Sequence, residues 1–193
     1  MNKFYPLLAG LLLLCTLYAT AQEQINTPLA AKKKYTSIKV GPSFATLSPK
    51  GEPWLCPQFG AHAGLYYLTM ESDRLGIQAE AQYSFQGAEL DRGHLLLHYL
   101  NIPITAKFFV APEVSLQGGG YAGLLLEERY EYEAYNSRPN MEGADYGLVY
   151  GLSYGNESKL TVSLRHQVGL ADIIGAKNQV VQLSLAYCVS SKQ

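Results

Sequence analysis

Apolar and polar residues alternate along most of the chain with a period of two, the repeat of a β-strand whose two faces differ. In residues 75–85, LGIQAEAQYSF, the odd-numbered positions are apolar, and Gly76, Gln78, Glu80, Gln82 and Ser84 stand between them. The same alternation predicts eight strands in total. They cover residues 35–46, 58–69, 75–85, 97–109, 114–127, 145–154, 159–170 and 179–189.

The connections between the predicted strands alternate in length. Those after strands two, four and six are short: MESDR, AP and GNES. Those after strands one, three, five and seven are longer: LSPKGEPWLC, QGAELDRGHLL, ERYEYEAYNSRPNMEGA and ADIIGAKN. An even strand count, with short turns and both termini at one end, is the layout of a transmembrane barrel. We therefore predict an all-β fold, an eight-stranded antiparallel up-and-down transmembrane β-barrel over residues 35–189.

The polar face of the strands is rich in glycine, and this indicates where that face points. A face in contact with water has no need of glycine, whereas the interior of an eight-stranded barrel is just wide enough to be filled by side chains. We therefore predict that the polar face lines a filled lumen and that the apolar face contacts lipid. An isolated buried charge is costly, so the inward-phase residues Lys39, Glu80, Lys107 and Arg165 are predicted to form one lumen network.

The N-terminus has the pattern of a secretory signal peptide over residues 1–21. Lys3 supplies the positive charge, residues 7–17 the apolar run, and Ala19-Thr20-Ala21 the cleavage site. Residues 22–34 are then a periplasmic extension and residues 190–193 a short C-terminal tail. Cys15 does not fit a lipoprotein signal, because Leu14 stands where a small residue is needed.

Composition narrows the class of protein further. The net charge of -1 offers no basic surface for a nucleic-acid partner. Charged residues make up 16% of the chain, against about 25% in an ordinary soluble domain. Beyond the N-terminus no stretch approaches the roughly 20 apolar residues of a membrane helix. These features predict a protein of the cell outer membrane, surrounded by outer-membrane lipid and lipopolysaccharide.

Five segments carry a resemblance to a known family: GIQAEAQYSFQGAE, HYLNIPITAKFF, VSLQGGGYAGLLL, DYGLVYGLSY and LRHQVGLADI. In order and spacing they resemble the outer-membrane β-barrel family often labelled porin family or PorT-like, typical of Bacteroides-type bacteria. The resemblance covers nearly the whole mature chain and implies an integral outer-membrane protein without catalytic residues. The chain departs from the family at Asn101, where Glu is common, and in ending YCVSSKQ without the terminal aromatic. The second departure bears on recognition of the C-terminal strand by the outer-membrane insertion machinery, which is the expected partner during assembly.

No residue pattern points to catalysis, a metal or a cofactor. His166 faces outward by alternation, as a lipid-modifying hydrolase would need, but Ser163 faces inward, and a nucleophile and its base must share hydrogen-bond reach. His94 and His98 have helix spacing for a shared metal, whereas four residues of a strand span about 13 Å. We expect a non-enzymatic membrane anchor or surface interaction protein. The alternatives are a soluble periplasmic ligand-binding barrel of lipocalin type and, third, a lipid-modifying enzyme.

Two further expectations follow from the predicted topology. Cys56 falls at the long-loop end and Cys188 at the short-turn end, more than about 20 Å apart, whereas bridged Cα atoms lie about 4.4–6.8 Å apart. Both thiols should therefore be free. The longest connection, residues 127–145, is the candidate recognition loop, since tyrosines and glutamates alternate in it. The residues concerned are Tyr130, Tyr132, Tyr135, Glu131 and Glu133.

Overall fold

The computed structural model describes residues 32–49, 56–90, 93–132, 135–137, 144–171 and 176–192. Nearly all of them belong to strands. The strands are β1 (Lys34–Pro49), β2 (Cys56–Met70), β3 (Leu75–Leu90), β4 (Gly93–Ala111), β5 (Val114–Tyr132), β6 (Tyr135–Ser137), β7 (Ala144–Gly155), β8 (Leu160–Gly169) and β9 (Ala176–Lys192). Over the described ranges, no helix is long and apolar enough to cross a membrane. The predicted signal peptide, residues 1–21, lies outside them.

Eight of the strands form a closed antiparallel ring. The hydrogen-bonded order is β4-β3-β2-β1-β9-β8-β7-β5, and pairing between β4 and β5 closes it. The short strand β6 lies outside the ring and pairs only with the upper part of β5, so it does not change the strand count of the barrel. The predicted eight-stranded up-and-down barrel is confirmed. All these strands belong to one compact unit, Lys33–Gln193.

Side-chain burial follows the alternation, with polar residues inside and apolar residues outside. On β3, Gln82 is fully buried while its neighbour Tyr83 is 46% exposed. On β7, Ser153 is buried while Leu152 and Tyr154 are exposed. A soluble lipocalin-type barrel needs the reverse arrangement, with its apolar residues packed inside. The outer surface of this barrel is therefore suited to lipid, and the lipocalin alternative is wrong.

Two belts of exposed aromatic residues flank the apolar surface. On β2 they include Phe59 and Tyr67, and on β7 Tyr146 and Tyr154. In each strand the two aromatics are about eight residues apart, which on a strand tilted by about 40° corresponds to roughly 20 Å along the barrel axis. Barrels of the outer membrane carry aromatic girdles on either side of an apolar band about 25 Å tall. The belts therefore mark the two membrane interfaces.

The two ends of the barrel differ in how closely the sequence predicted them. At the turn end, where the chain reverses at residues 71–74, 112–113 and 156–159, strand boundaries fall close to the predicted ones. At the opposite end, the loop end, several strands are longer than predicted. The connection between β3 and β4 was predicted as a long loop, but the strands continue until Leu90 pairs with Gly93. Above the membrane both faces meet water, so alternation no longer marks a strand.

Candidate functional site

The interior of the barrel is lined mostly by buried polar side chains, with a smaller number of apolar ones. The largest fully buried polar side chains are Lys39, Lys107, Gln78, Gln82, Gln86, Gln167 and Gln182 together with Tyr99. Because the ring is narrow, glycines on the inward phase make room for these long side chains. The interior is therefore the first place to look for charged groups that act together.

A central cluster joins three of the four charged residues that the sequence predicted to meet. The carboxylate of Glu80, on β3, forms ion pairs with Lys39 of β1 and with Arg165 of β8, the latter at 2.5 Å. Gln78 Nε2 also donates a hydrogen bond to Glu80 Oε1 at 2.6 Å. All three charged side chains are at most 2% exposed. Glu80 thus links opposite parts of the wall through charge-assisted contacts in a region of low dielectric constant.

Lys107 departs from the predicted network. Its ion-pair partner is Glu157, which lies in the turn between β7 and β8 and was not among the predicted residues. Tyr66 donates a hydrogen bond from its hydroxyl to the same carboxylate at 2.9 Å. The interior charges therefore form two separate ion-paired groups, one around Glu80 and one at the turn end. Glu157 was missed because it belongs to a short turn, where residues are normally assumed to face water.

The turn that carries Glu157 is shaped by its own local contacts. Gly155 has a φ of 130°, a conformation open to glycine but not to other residues. Asn156 Oδ1 accepts hydrogen bonds from the backbone NH of Ser158 at 2.9 Å and from its hydroxyl at 2.7 Å. Asx turns of this kind fix a short connection. The turn therefore places the Glu157 side chain at the turn end of the barrel interior, where its carboxylate forms the ion pair with Lys107.

Apolar groups surround this lower ion pair. Tyr66, Leu68 and Ala186 form a buried cluster at the turn end, against which Tyr35, Met70 and Phe109 pack. The ammonium of Lys107 lies 6.0 Å from the ring centroid of Tyr66 and 5.8 Å from that of Phe109, within reach of cation–π attraction. We call the Lys107–Glu157 ion pair, with Tyr66, the lower latch.

A third interior group lies toward the loop end and contains no cation. Tyr121 donates a hydrogen bond to Asp145 Oδ2 at 2.9 Å, and Asn178 Nδ2 approaches the same oxygen at 3.3 Å. Asn178 Nδ2 also donates to Gln86 Oε1 at 2.7 Å. The group joins β3, β5, β7 and β9. Alternation placed Asp145 on the inward phase, but nothing in the sequence indicated which residues it would meet.

Several buried polar atoms in the interior have no hydrogen-bond partner among the described residues. They belong to Ser37, Gln58, His62, Gln78, Gln82, Asn101, Thr105, Gln117, Asp145, Thr161, Arg165 and Gln182. Buried polar groups are ordinarily hydrogen-bonded to protein or to ordered water. The hydrogen bonds among the described residues therefore leave some of these interior polar groups unsatisfied.

Among the described residues, the outer surface does not bring Ser163 and His166 together as a nucleophile and its base. Ser163 is buried on the inward face of β8, whereas His166 points outward and lies with its Nδ1 2.8 Å from the Tyr150 hydroxyl. The His98 Nδ1 is likewise 2.5 Å from the hydroxyl of Tyr83. Within the ranges that the structure describes, no group of three or more His, Cys, Asp or Glu side chains is placed to hold a metal ion.

The candidate recognition loop is partly a continuation of the barrel wall. Its residues Tyr130, Glu131 and Tyr132 belong to β5, and Tyr132 pairs with Tyr135 of β6. On the other side of β5, Tyr130 pairs with Leu95 of β4. The loop is therefore a hairpin whose backbone is held to the barrel by β4. Glu133 lies outside the described residues.

Comparison with solved structures places this architecture among small outer-membrane barrels. The attachment invasion locus protein Ail of Yersinia pestis is similar with a TM-score of 0.54 and 15% identity, over 82% of this chain and 99% of Ail. Neisserial surface protein A is similar with a TM-score of 0.59 and 10% identity, over 79% of this chain and 96% of that protein. At these identities the likeness concerns the fold alone. No curated protein sequence matches the chain.

An inside-out eight-stranded ring with two aromatic belts defines a transmembrane β-barrel. The sequence profile of the outer membrane protein beta-barrel domain family matches residues 21–175. The chain belongs to this family and is a protein of the cell outer membrane. From the usual orientation of such barrels we expect the turn end to lie in the periplasm and the loop end to face the exterior.

Proposed function

We propose that this protein is a non-enzymatic outer-membrane barrel of the PorT-like type that displays a recognition surface outside the cell. This proposal is supported by the different lengths of neighbouring strands at the loop end of the barrel. Pairing between β5 and β7 ends at Leu124 and Ala144, whereas β5 continues with β4 as far as Tyr132. The extra length of β5 corresponds to about 20 Å along the axis of a tilted barrel. One side of the wall therefore stands above the membrane as a platform.

The residues of this platform suit a particular partner. Residues 127–144 contain five Glu against two Arg, together with three Tyr. Tyrosine offers a rigid contact surface with a polar tip, and carboxylates bind divalent cations. We infer that the hairpin contacts lipopolysaccharide, with divalent cations between its glutamates and the lipid phosphates. Ail has been crystallised with the heparin analogue sucrose octasulfate, but the acidic hairpin here should repel such a polyanion.

The exposure of the hairpin is tested by protease treatment of intact cells. A protease that cuts after glutamate should cleave the hairpin at Glu133 or Glu142, near Arg129 and Arg138, and leave a protected barrel, and Glu133→Gln with Glu142→Gln should remove this cleavage. If the protein in intact cells resisted the protease and was cleaved only after lysis, the hairpin would lie in the periplasm. The expected orientation of the barrel in the membrane would then be reversed.

The recognition role is tested by lipopolysaccharide binding to the purified protein with magnesium or with a chelator. Replacing Tyr130, Tyr132 and Tyr135 by Ser should weaken lipopolysaccharide binding. Removal of magnesium by the chelator should weaken lipopolysaccharide binding by the wild-type protein as well. The matched control replaces Tyr67, Tyr154 and Tyr187, exposed tyrosines of the periplasmic belt. Equal binding by all three proteins would leave the barrel as an anchor without this partner.

We further propose that the lumen is closed to ions by the interior side chains. Eight-stranded barrels are narrow enough to be filled by side chains, and aqueous channels need about sixteen strands. The Glu80 cluster and the lower latch support this view, since each crosses the interior from wall to wall. Insertion into the membrane would depend on the outer-membrane insertion machinery. The strand that this machinery would recognise is β9, which ends at Lys192.

A further inference from the structure

Two lysines lie side by side at the turn end of the barrel, on its first and last strands. Lys34 begins β1 and is directly paired with Lys192 at the end of β9, and both residues are exposed. Like charges directly opposite each other on neighbouring strands repel and destabilise the pairing. Among the described residues, neither lysine forms an ion pair. The described part of the chain therefore supplies this lysine pair with no counter-charge.

A β-bulge brings both lysines to the outer face of the barrel. Lys34 shares its phase on β1 with Ile38, which is 46% exposed on the outer face. On β9, alternation from the buried Ala186 would give Lys192 the inward phase. The register between the two strands shifts by one residue next to Thr36, so the end of β9 changes phase. Because directly paired residues share a face, Lys192 lies with Lys34 on the outside.

The lysine pair lies close to the depth of the lipid headgroups. On β9, Lys192 follows the exposed belt residue Tyr187 by five residues, about 13 Å along the axis of a tilted barrel. The polar headgroup region on each side of a bilayer is about 5–7 Å thick. Lysine has a long apolar stem that can carry its ammonium group back to this region. Both ammonium groups can therefore reach the headgroups of the leaflet at the turn end.

The surroundings of the lysine pair are also positively charged. Lys33 is exposed next to the pair, and the carbonyl oxygen of Lys159 accepts a hydrogen bond from the backbone NH of Cys188 on β9 at 2.9 Å. The carboxylate in the turn of Lys159 is that of Glu157, which is buried in the lower latch. At the turn end, the exposed carboxylates of the described residues lie in the other two turns, residues 71–74 and 112–113. The edge formed by β8, β9 and β1 is thus a basic surface.

We propose that Lys34 and Lys192 bind the phosphate group of an anionic phospholipid in the leaflet at the turn end. A phosphate between the two ammonium groups replaces their repulsion by charge-assisted hydrogen bonds. Each lysine at this depth also adds attraction to an anionic membrane surface. In the expected orientation this leaflet faces the periplasm and consists of phospholipid, whereas the loop end meets lipopolysaccharide. The site is separate from the hairpin and does not depend on its function.

The site is tested by heat unfolding of the purified protein in a zwitterionic detergent, with phosphatidylglycerol or phosphatidylcholine added. A ligand bound only by the folded state raises the unfolding temperature with its concentration. For phosphatidylglycerol we expect a rise of about 3–5 °C for each tenfold increase above the dissociation constant. Phosphatidylcholine, whose headgroup carries no net charge, should have a much smaller effect. Equal responses to the two lipids would overturn the proposal.

Two double variants with the same change in net charge locate the binding site. Lys34→Gln with Lys192→Gln should lower the affinity for phosphatidylglycerol by about fivefold for each lysine removed. Arg74→Gln with Lys177→Gln is the matched control, because it removes two exposed cations outside the basic surface, one in the turn between β2 and β3 and one at the loop end of β9. The control should bind phosphatidylglycerol like the wild-type protein. Equal losses in the two double variants would refute a specific site.

A charge reversal separates lipid binding from folding. In Lys34→Glu the new carboxylate lies opposite Lys192, so the variant should unfold at a temperature no lower than wild type in detergent alone. It should nevertheless lose the response to phosphatidylglycerol, and an unchanged response would contradict the proposal. Anionic peptidoglycan fragments are added in a parallel series. If they raised the unfolding temperature of the wild-type protein and phosphatidylglycerol did not, the lysine pair would bind a periplasmic polymer and the lipid site would be wrong.

Discussion

Gly151 lies directly across the β7–β8 ladder from Arg165, and a Cβ atom at Gly151 would stand 3.1 Å from the arginine Cγ. That Cβ would also press against the carbonyl oxygen of Leu164. The position faces inward, where the arginine side chain must pass on its way to Glu80. The glycine thus provides the space that the central ion pair occupies.

Gly151→Ala should therefore destabilise the barrel, because the new methyl group displaces Arg165 and the neighbouring backbone. Overpacking of this kind costs about 1–3 kcal/mol. Gly118→Ala is the control, since a Cβ at Gly118 meets nothing within 4 Å. The two variants are compared by unfolding in urea, and the folded fraction is measured from the heat-modifiable shift in gel mobility. If the two variants were equally stable, the interior around Arg165 would be less tightly packed than these distances indicate.

Glu80→Gln should destabilise the barrel more than any exposed carboxylate variant. The change keeps the size of the side chain but leaves Lys39 and Arg165 without their counter-charge, a loss of about 3–5 kcal/mol for a buried pair. Glu113→Gln, in the exposed turn between β4 and β5, provides the comparison. If both variants lowered the unfolding temperature by the same amount, Glu80 would have to be hydrated.

The lower latch should control ion passage at the periplasmic end. The wild-type barrel is expected to show no steady conductance in a planar lipid bilayer. Glu157→Ala combined with Tyr66→Ala removes the ion-pair partner of Lys107 and one of the two rings beside its ammonium group, so brief openings should become more frequent. Exposed Glu71→Ala with Tyr67→Ala serves as control. Steady conductance by the wild-type protein would contradict a filled lumen.

Both cysteines of the mature chain should react as free thiols. Cys188 is free in the structure and lies near the periplasmic end of β9, whereas Cys56 begins β2 at the outer end. Labelling of the denatured, unreduced protein with a maleimide should therefore modify two groups. Finding neither group labelled would be incompatible with the strand order.

The sequence alone determined which face of each strand is buried. Alternate side chains of a strand point to opposite sides by covalent geometry, so Lys39, Glu80, Lys107 and Arg165 could all be assigned to the inward phase. The eight transmembrane strands and their periplasmic turns followed from the same repeat. The extra height of β3, β4 and β5 did not, because strands with water on both faces carry no apolar and polar alternation.

Only the tertiary structure decided which inward residues meet. Lys107 pairs with Glu157 across 50 residues of chain, and Asn178 reaches Gln86 across 92. These contacts depend on the tilt of the strands and on the stagger with which the ring closes, and neither is encoded in any single strand. A shift of two residues in the pairing of β1 with β9 would keep every side chain on its face yet give each charge a different neighbour.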